Sequence, residues 1–178
     1  MSINQSEDQP IFDPVAFRLT AQQAELTALA RQLGREKFAP RAAQIDRDAA
    51  FPTENYRDLH QSGLLGICIP QTDGGHGADF QTYSLVAAEI GRYCGATALT
   101  WNMHVCSTLW SGALTDDLEM PADERIIHQQ RRSLHYRRIL DEGAIYSQPF
   151  SEGGDAAAGT VAFGTQARPT QQANQSGW

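Results

Sequence analysis

Apolar residues recur along most of this chain with a helical period. Leu19, Leu26, Leu29, Ala30 and Leu33 fall on one face, and Thr20 followed by Gln23 has the Thr-x-x-Gln spacing of a capping box. Pro40 is expected to kink or restart this helix, which runs to about Asp48. A second helix follows Pro52, with Thr53 as its cap, Tyr56 and Leu59 as apolar members and Gly63 as its stop. The run Leu64-Leu65-Gly66-Ile67-Cys68-Ile69 is too short for its period to separate strand from turn. Asp79 can cap a third helix, whose Tyr83, Val86, Ala87 and Ile90 stand at i, i+3, i+4 and i+7. Residues 96–114 leave almost no polar face, the pattern of a central, buried helix. After a break over 116–121, residues 122–142 form a charged helix with Ile126, Ile127, Leu134, Ile139 and Leu140 as its apolar members.

At Gly143 the pattern changes. Ala144-Ile145-Tyr146-Ser147-Gln148 reads as a strand, residues 163–168 as a second one, and residues 171–177 as turn-like. Ahead of the first helix, residues 1–18 are polar and carry Pro10 and Pro14, reading as a flexible tail or an arm laid on a partner subunit. The expected organisation is therefore a tail over 1–18, a helical domain over 19–142 and the opening of a β domain over 143–178. The fold class is mainly α.

Composition narrows the function. The 178 residues carry 41% hydrophobic and 20% charged side chains, ordinary for a globular domain. The net charge of −7 argues against nucleic acid or an anionic membrane as the main partner. Cys68, Cys94 and Cys106 are widely spaced with no C-x-x-C, which points to reduced structural thiols in a cytoplasmic protein. The N-terminus shows no signal-peptide pattern, and no apolar run reaches membrane-spanning length.

Candidate chemistry is sparse. The loop Asp73-Gly74-Gly75-His76-Gly77 lies between an apolar run and a helix, the setting of a phosphate cradle. Its G-G-x-G spacing and its two flanking aspartates favour a tight connecting turn instead. The five histidines show no H-E-x-x-H pattern, so no metal site is expected. Arg131, Arg132, Arg137 and Arg138 fit a phosphate-bearing ligand or a subunit contact, and equally a solvated helix face. Ser111 and Ser151 stand in no G-x-S-x-G elbow. Trp101, Met103, His104 and Trp110 read as core packing or as the lining of an apolar ligand pocket. Residues 146–154, a strand that ends in small, polar and glycine residues, suit close approach to a flat heteroaromatic cofactor or a plain strand and loop.

Taken in order, Phe51-Pro52, Leu59, Gly63-Leu64-Leu65-Gly66, Ile69-Pro70, Gly74-Gly75-His76-Gly77 and Glu89-Ile90-Gly91-Arg92, with the block from Tyr146 to Glu152, resemble the acyl-CoA dehydrogenase family. The resemblance runs from about Leu19 to Trp178. It implies an N-terminal helical domain followed by a β-barrel domain that is incomplete in these 178 residues, with a C-terminal helical bundle beyond them. It implies FAD as cofactor, an acyl-CoA or related small-molecule substrate, and a homo-oligomer in the full-length form. In that family a glutamate takes the α-proton while flavin N5 takes the β-hydride. The resemblance sets Tyr146, Gln148 and Ser151 against the flavin and Trp101 and His104 near the acyl pocket. It supplies no catalytic base here: Glu89 and Glu152 read as structural, and the isolated chain is expected to be inactive.

Where the family carries Ser/Thr-Glu-Pro-x-x-Gly-Ser-Asp, this chain has Ser151-Glu152-Gly153-Gly154-Asp155. That departure keeps open a flavin-dependent monooxygenase of the same superfamily. A helical interaction module without chemistry of its own is the third reading.

Overall fold

The computed structural model describes residues 9–147 and, further on, 164, 166, 168–172 and 175–177. The chain divides after Ser147 into two compact units.

The first unit is helical. α1 (Ala21–Leu33) begins at the expected capping box: Thr20 Oγ1 accepts from Gln23 N–H, and Gln23 Oε1 accepts from Thr20 N–H. The α-helix restarts around Pro40, as expected, and runs to Arg47. A π-helical stretch (Gly34–Phe38) leads straight into α2 (Ala39–Arg47), with Pro40 in the first turn of α2. Widening the helix there accommodates the missing Pro40 N–H, and Gly34 packs so closely on Tyr93 that an added Cβ would stand 2.1 Å from its ring.

α3 (Thr53–Gln61) has Pro52 at its cap position, so Thr53 is the first helical residue and not the cap. It stops where expected: Gly63 takes a left-handed φ of 79°. The ambiguous apolar run is a 3₁₀ turn (Leu64–Gly66), followed by a second one (Gln71–Asp73). α4 (Phe80–Tyr93) is capped by Asp79, whose Oδ1 accepts from Thr82 N–H at 2.8 Å and from its hydroxyl at 2.6 Å. α5 (Gly95–Ser111), the short α6 (Ala113–Asp116) and α7 (Ala122–Glu142) complete the unit.

α4 lies between α1 and α5 and packs along both, while α3, α5 and α7 converge on the Leu64–Gly66 turn. The core therefore gathers around that turn: Leu59, Leu64, Leu65, Ile67, Ile69, Val86, Ile90, Trp101, Val105, Tyr136 and Ile139 are all buried. α5 departs from the expectation of burial on every side. Trp101, His104, Val105 and Thr108 face inward, whereas Leu99 is 64% and Trp110 46% exposed. Its lack of charge marks it as apolar, but the other described residues cover only one of its faces. On α7, Ile139 is buried while Ile126, Ile127 and Leu134 are exposed.

In the first unit, residues 144–147 do not form the expected strand, and Gln148 lies outside the described residues. In the second unit, the described positions of the expected strand over 163–168 (Gly164, Gln166 and Arg168) are in no strand. Instead β1 (Thr170–Gln172) pairs antiparallel with β2 (Gln175–Gly177), with Thr170 opposite Gly177, where the composition reads as a turn. The described positions of the expected turn over 171–177 are therefore strand. No more of a β-barrel is present among the described residues.

Candidate functional site

Trp101 and His104 stand one turn apart on α5, so both reach the Leu64–Gly66 turn. Trp101 Nε1–H donates to Leu64 O at 3.1 Å, and its ring packs on Tyr83 with centroids 5.4 Å apart. His104 Nε2 lies 3.0 Å from Leu65 O, while His104 Nδ1 lies 3.1 Å from the backbone nitrogen of Tyr146. An amide nitrogen can only donate, so Nδ1 accepts and the ring proton sits on Nε2, donating to Leu65. Burial holds the His104 imidazole at a pKa of about 4, opposed by the bond to Leu65, so the neutral tautomer persists at ordinary pH.

Tyr146, expected against the flavin, thus joins His104 through its amide. Its ring sits against His135 at 4.1 Å between centroids in an edge-on arrangement, and His135 Nε2 is 3.4 Å from Ser107 Oγ. Burial also lowers the His135 pKa. Tyr56 closes the cluster edge-on to His104, and burial raises its pKa to about 12. Gln148 and Ser151, the other two expected flavin contacts, lie outside the described residues. Both Trp101 and His104 are fully buried with their ring nitrogens bonded to backbone, so neither presents a polar atom to a ligand.

The glycine loop is a connecting turn. Gly74 N–H donates to Gln71 O, Gly75 N–H to Pro70 O, Gly77 N–H to Ile69 O and Ala78 N–H to Ile67 O. Amides already bonded within the turn cannot cradle a phosphate. Gly75 is packed so closely that an added Cβ would stand 2.2 Å from Ile69 O.

Other candidates resolve into structure. His60 bonds Leu140 O at 2.7 Å and His128 bonds Ser111 O at 3.1 Å, each tying one helix to another. Among the described residues no group of three or more His, Cys, Asp or Glu is placed to hold a metal ion. Arg132 bonds Asp116, and Arg131, Arg137 and Arg138 are exposed. Burial pushes the Cys68 thiol up to about 12, with Asp79 and Cys106 adding to the rise, so it is a poor nucleophile.

Glu89 is 1% exposed. It accepts from Ile11 N–H at 3.0 Å and lies 3.7 Å from Arg31 and 3.8 Å from Arg92. Arg92 in turn bonds Gln9 O. Residues 9–11 of the expected tail or arm are thereby held by α4 of the same chain, and residues 1–8 lie outside the described residues. Glu89 thus ties Ile11 to α4 through one oxygen, while its Oε2 has no hydrogen-bond partner and lies only within ion-pair distance of Arg92.

Two further features leave no signal in the sequence. Arg41 binds Glu54, Asn55 and Asp58, and Asn55 passes the link to Thr97 on α5 at 2.8 Å. A cleft of about 310 Å³ between α2 and α3 is lined by Pro40, Ile45, Phe51 and Pro52, with Arg41 and Glu54 at its side. A buried Asn with distant partners carries no periodic signal, so only the fold reveals it.

Residues 20–113 of this chain match the acyl-CoA dehydrogenase N-terminal domain. The chain belongs to the acyl-CoA dehydrogenase family. Among curated relatives, a probable acyl-CoA dehydrogenase of Bacillus subtilis is 32% identical over 85 residues, covering 48% of this chain and 22% of its own length. The acryloyl-CoA reductase (NADH) of Anaerotignum propionicum is 37% identical over 89 residues, 50% of this chain and 23% of that protein. A probable acyl-CoA dehydrogenase of Mycobacterium leprae is 32% identical over 152 residues, 84% of this chain and 36% of that protein. The matched part of the chain thus spans about a quarter to a third of these relatives. Within the family match lie the glycine turn, the Glu89 ion pairs, and Trp101 and His104; Tyr146 and His135 lie beyond it. Among the described residues no helix is long and apolar enough to cross a membrane.

Proposed function

We propose that this chain forms the N-terminal helical part of an FAD-dependent enzyme that oxidises an acyl-CoA thioester between its α and β carbons. The observation that carries the reading is the family match over residues 20–113, in a unit whose fold is the helical one the resemblance implies. Relatives named for a dehydrogenase and for a reductase both act, by name, on a CoA thioester. That supports the substrate class more firmly than the direction of the reaction.

FAD supplies the redox chemistry in this reading. No described residue forms a ready flavin cradle, since the Tyr146 amide is bonded to His104. Tyr146, Gln148 and Ser151 remain the proposed flavin contacts. Trp101 and His104 serve an acyl pocket as packed backing, while Met103 on the same helix reaches the surface at 37% exposure. The 178 residues alone are inactive, because the one buried carboxylate described near the core, Glu89, is committed to its arginines. The enzyme is cytoplasmic and assembles from identical subunits.

The test expresses both the 178-residue chain and the reading frame through the Trp178 codon with whatever follows in frame. The product of the whole frame is expected to carry stoichiometric flavin that an acyl-CoA bleaches anaerobically, and the 178-residue chain to be colourless. A whole-frame product without flavin refutes the reading. Bound flavin that no acyl-CoA reduces, but that NAD(P)H reduces and oxygen reoxidises with substrate hydroxylation, favours the monooxygenase.

A further inference from the structure

Residues 144–147, which follow α7, belong to no helix or strand, yet Tyr146 is half-buried and held between His104 on α5 and His135 on α7. Its backbone N–H points at His104 Nδ1 at 3.1 Å, and the other nitrogen of the same ring bonds Leu65 O at 3.0 Å. One imidazole therefore joins three parts of the unit distant in sequence: the Leu64–Gly66 turn, α5 and the exit from α7. We propose that His104 is a positioning residue, a clasp whose neutral Nε2–H tautomer fixes where the chain leaves α7 and so sets the placement of Tyr146.

The chemistry is strict. A side chain here must donate to a carbonyl and accept from an amide at once, and a neutral imidazole does both. Protonation turns Nδ1 into a donor facing the Tyr146 N–H, so the clasp opens. The titratable groups around the ring are Tyr56 from α3, His135 from α7 and Tyr146 itself, while the Leu64–Gly66 turn contributes none. Tyr56 remains neutral, His135 is held neutral by burial, and Arg138 opposes its protonation further. No described carboxylate contacts the ring to stabilise a cation. Nothing in this arrangement depends on a flavin or an acyl-CoA, so it stands or falls separately from the function proposed above.

The test is performed on the 178-residue chain by nitrogen-15 NMR. The imidazole shifts of His104 are expected to report the Nε2–H tautomer at neutral pH. Hydrogen exchange at the Tyr146 amide, corrected for intrinsic rate, is expected to speed up about tenfold or more as His104 protonates, the loss of one buried hydrogen bond, while amides of α4 such as that of Val86 keep their protection. H104Q, which can donate and accept without titrating, is expected to retain Tyr146 protection and lose the pH step. An Nδ1–H tautomer, a Tyr146 amide indifferent to the His104 midpoint, or an H104Q variant with an unchanged pH step would each overturn the proposal. Should H104Q lower overall stability, the wild-type tautomer and the shared midpoint still decide it.

Discussion

Gly75 and Gly91 both belong to the sequence signature of this chain, yet alanine should act on them in opposite directions. At Gly75 a Cβ would stand 2.2 Å from Ile69 O, 2.6 Å from Ile69 Cβ and 2.7 Å from Gly66 O. Ordinary contact begins near 3.4 Å, so the backbone must move by more than an ångström. The obstructing atoms are themselves engaged: Ile69 O accepts from Gly77 N–H and Gly66 O from Ile69 N–H. Overpacking costs about 1–3 kcal/mol and each weakened hydrogen bond about 1 kcal/mol, so Gly75→Ala should destabilise by about 2–5 kcal/mol. At Gly91, inside α4, the same Cβ meets only Ala98 Cβ at 3.6 Å, an ordinary contact. There alanine removes the helix penalty of glycine, and the variant should gain about 0.5–1 kcal/mol. Urea denaturation followed by helical circular dichroism measures both. A Gly75→Ala midpoint equal to wild type, or a Gly91→Ala loss above about 1 kcal/mol, refutes the packing argument. If the glycines of the loop served a phosphate, Gly75→Ala would weaken anion binding at unchanged urea stability.

Stability should also depend on pH through the two histidines. Burial lowers the folded pKa of His104 to about 4 and lowers that of His135, against about 6.5 in the unfolded chain. Their contribution is complete above the unfolded value and lost as pH falls from about 6.5 toward 4, with His104 alone accounting for about 3 kcal/mol. A series of urea titrations across that window should show the slope, and H104Q should flatten most of it. Thr20→Ala and Asp79→Ala each remove a helix cap and should cost about 1 kcal/mol apiece, and the double variant should depart from additivity because Gln23 Nε2–H donates to Thr82 Oγ1 and joins the two caps in one network. Glu89→Leu leaves Arg31 and Arg92 facing an apolar group and releases Ile11 N–H. It should cost about 3 kcal/mol in thermal denaturation and expose the Ile11 amide to exchange, whereas Glu89→Gln should retain that bond and cost less.

Features with a local cause were legible in the sequence, and those with a distant cause were not. The Thr20 box, the Asp79 cap and the Gly63 stop are decided within four residues, and all three stand where the sequence puts them. Thr53 misled because a proline and a threonine in succession offer two positions for one cap, and the chain starts helix at Thr53 itself. Pro40 stands in the first turn of α2 as expected, but the π-helical stretch ahead of it was not legible, and its contact of Gly34 against Tyr93 spans 59 residues. The stretch over 144–147 has strand composition, but its amide at Tyr146 is taken by a histidine 42 residues earlier, and a bond to a ring nitrogen replaces the ladder. The same distinction separates the two readings of Trp101 and His104. The sequence sets both on an apolar helix and cannot say whether their nitrogens are free for a ligand. The 3₁₀ turn at Leu64–Gly66 decides it by supplying two carbonyls outside any regular ladder, and α5 supplies the two N–H groups that meet them. An acyl pocket built on this helix must therefore take its shape from side chains such as Met103, while Trp101 and His104 hold the helix to the turn. Met103→Ala should then alter chain-length preference in the whole enzyme without changing the urea midpoint of this unit, whereas Trp101→Phe should lower that midpoint by about 2 kcal/mol by leaving Leu64 O unpaired and the space of the larger ring unfilled.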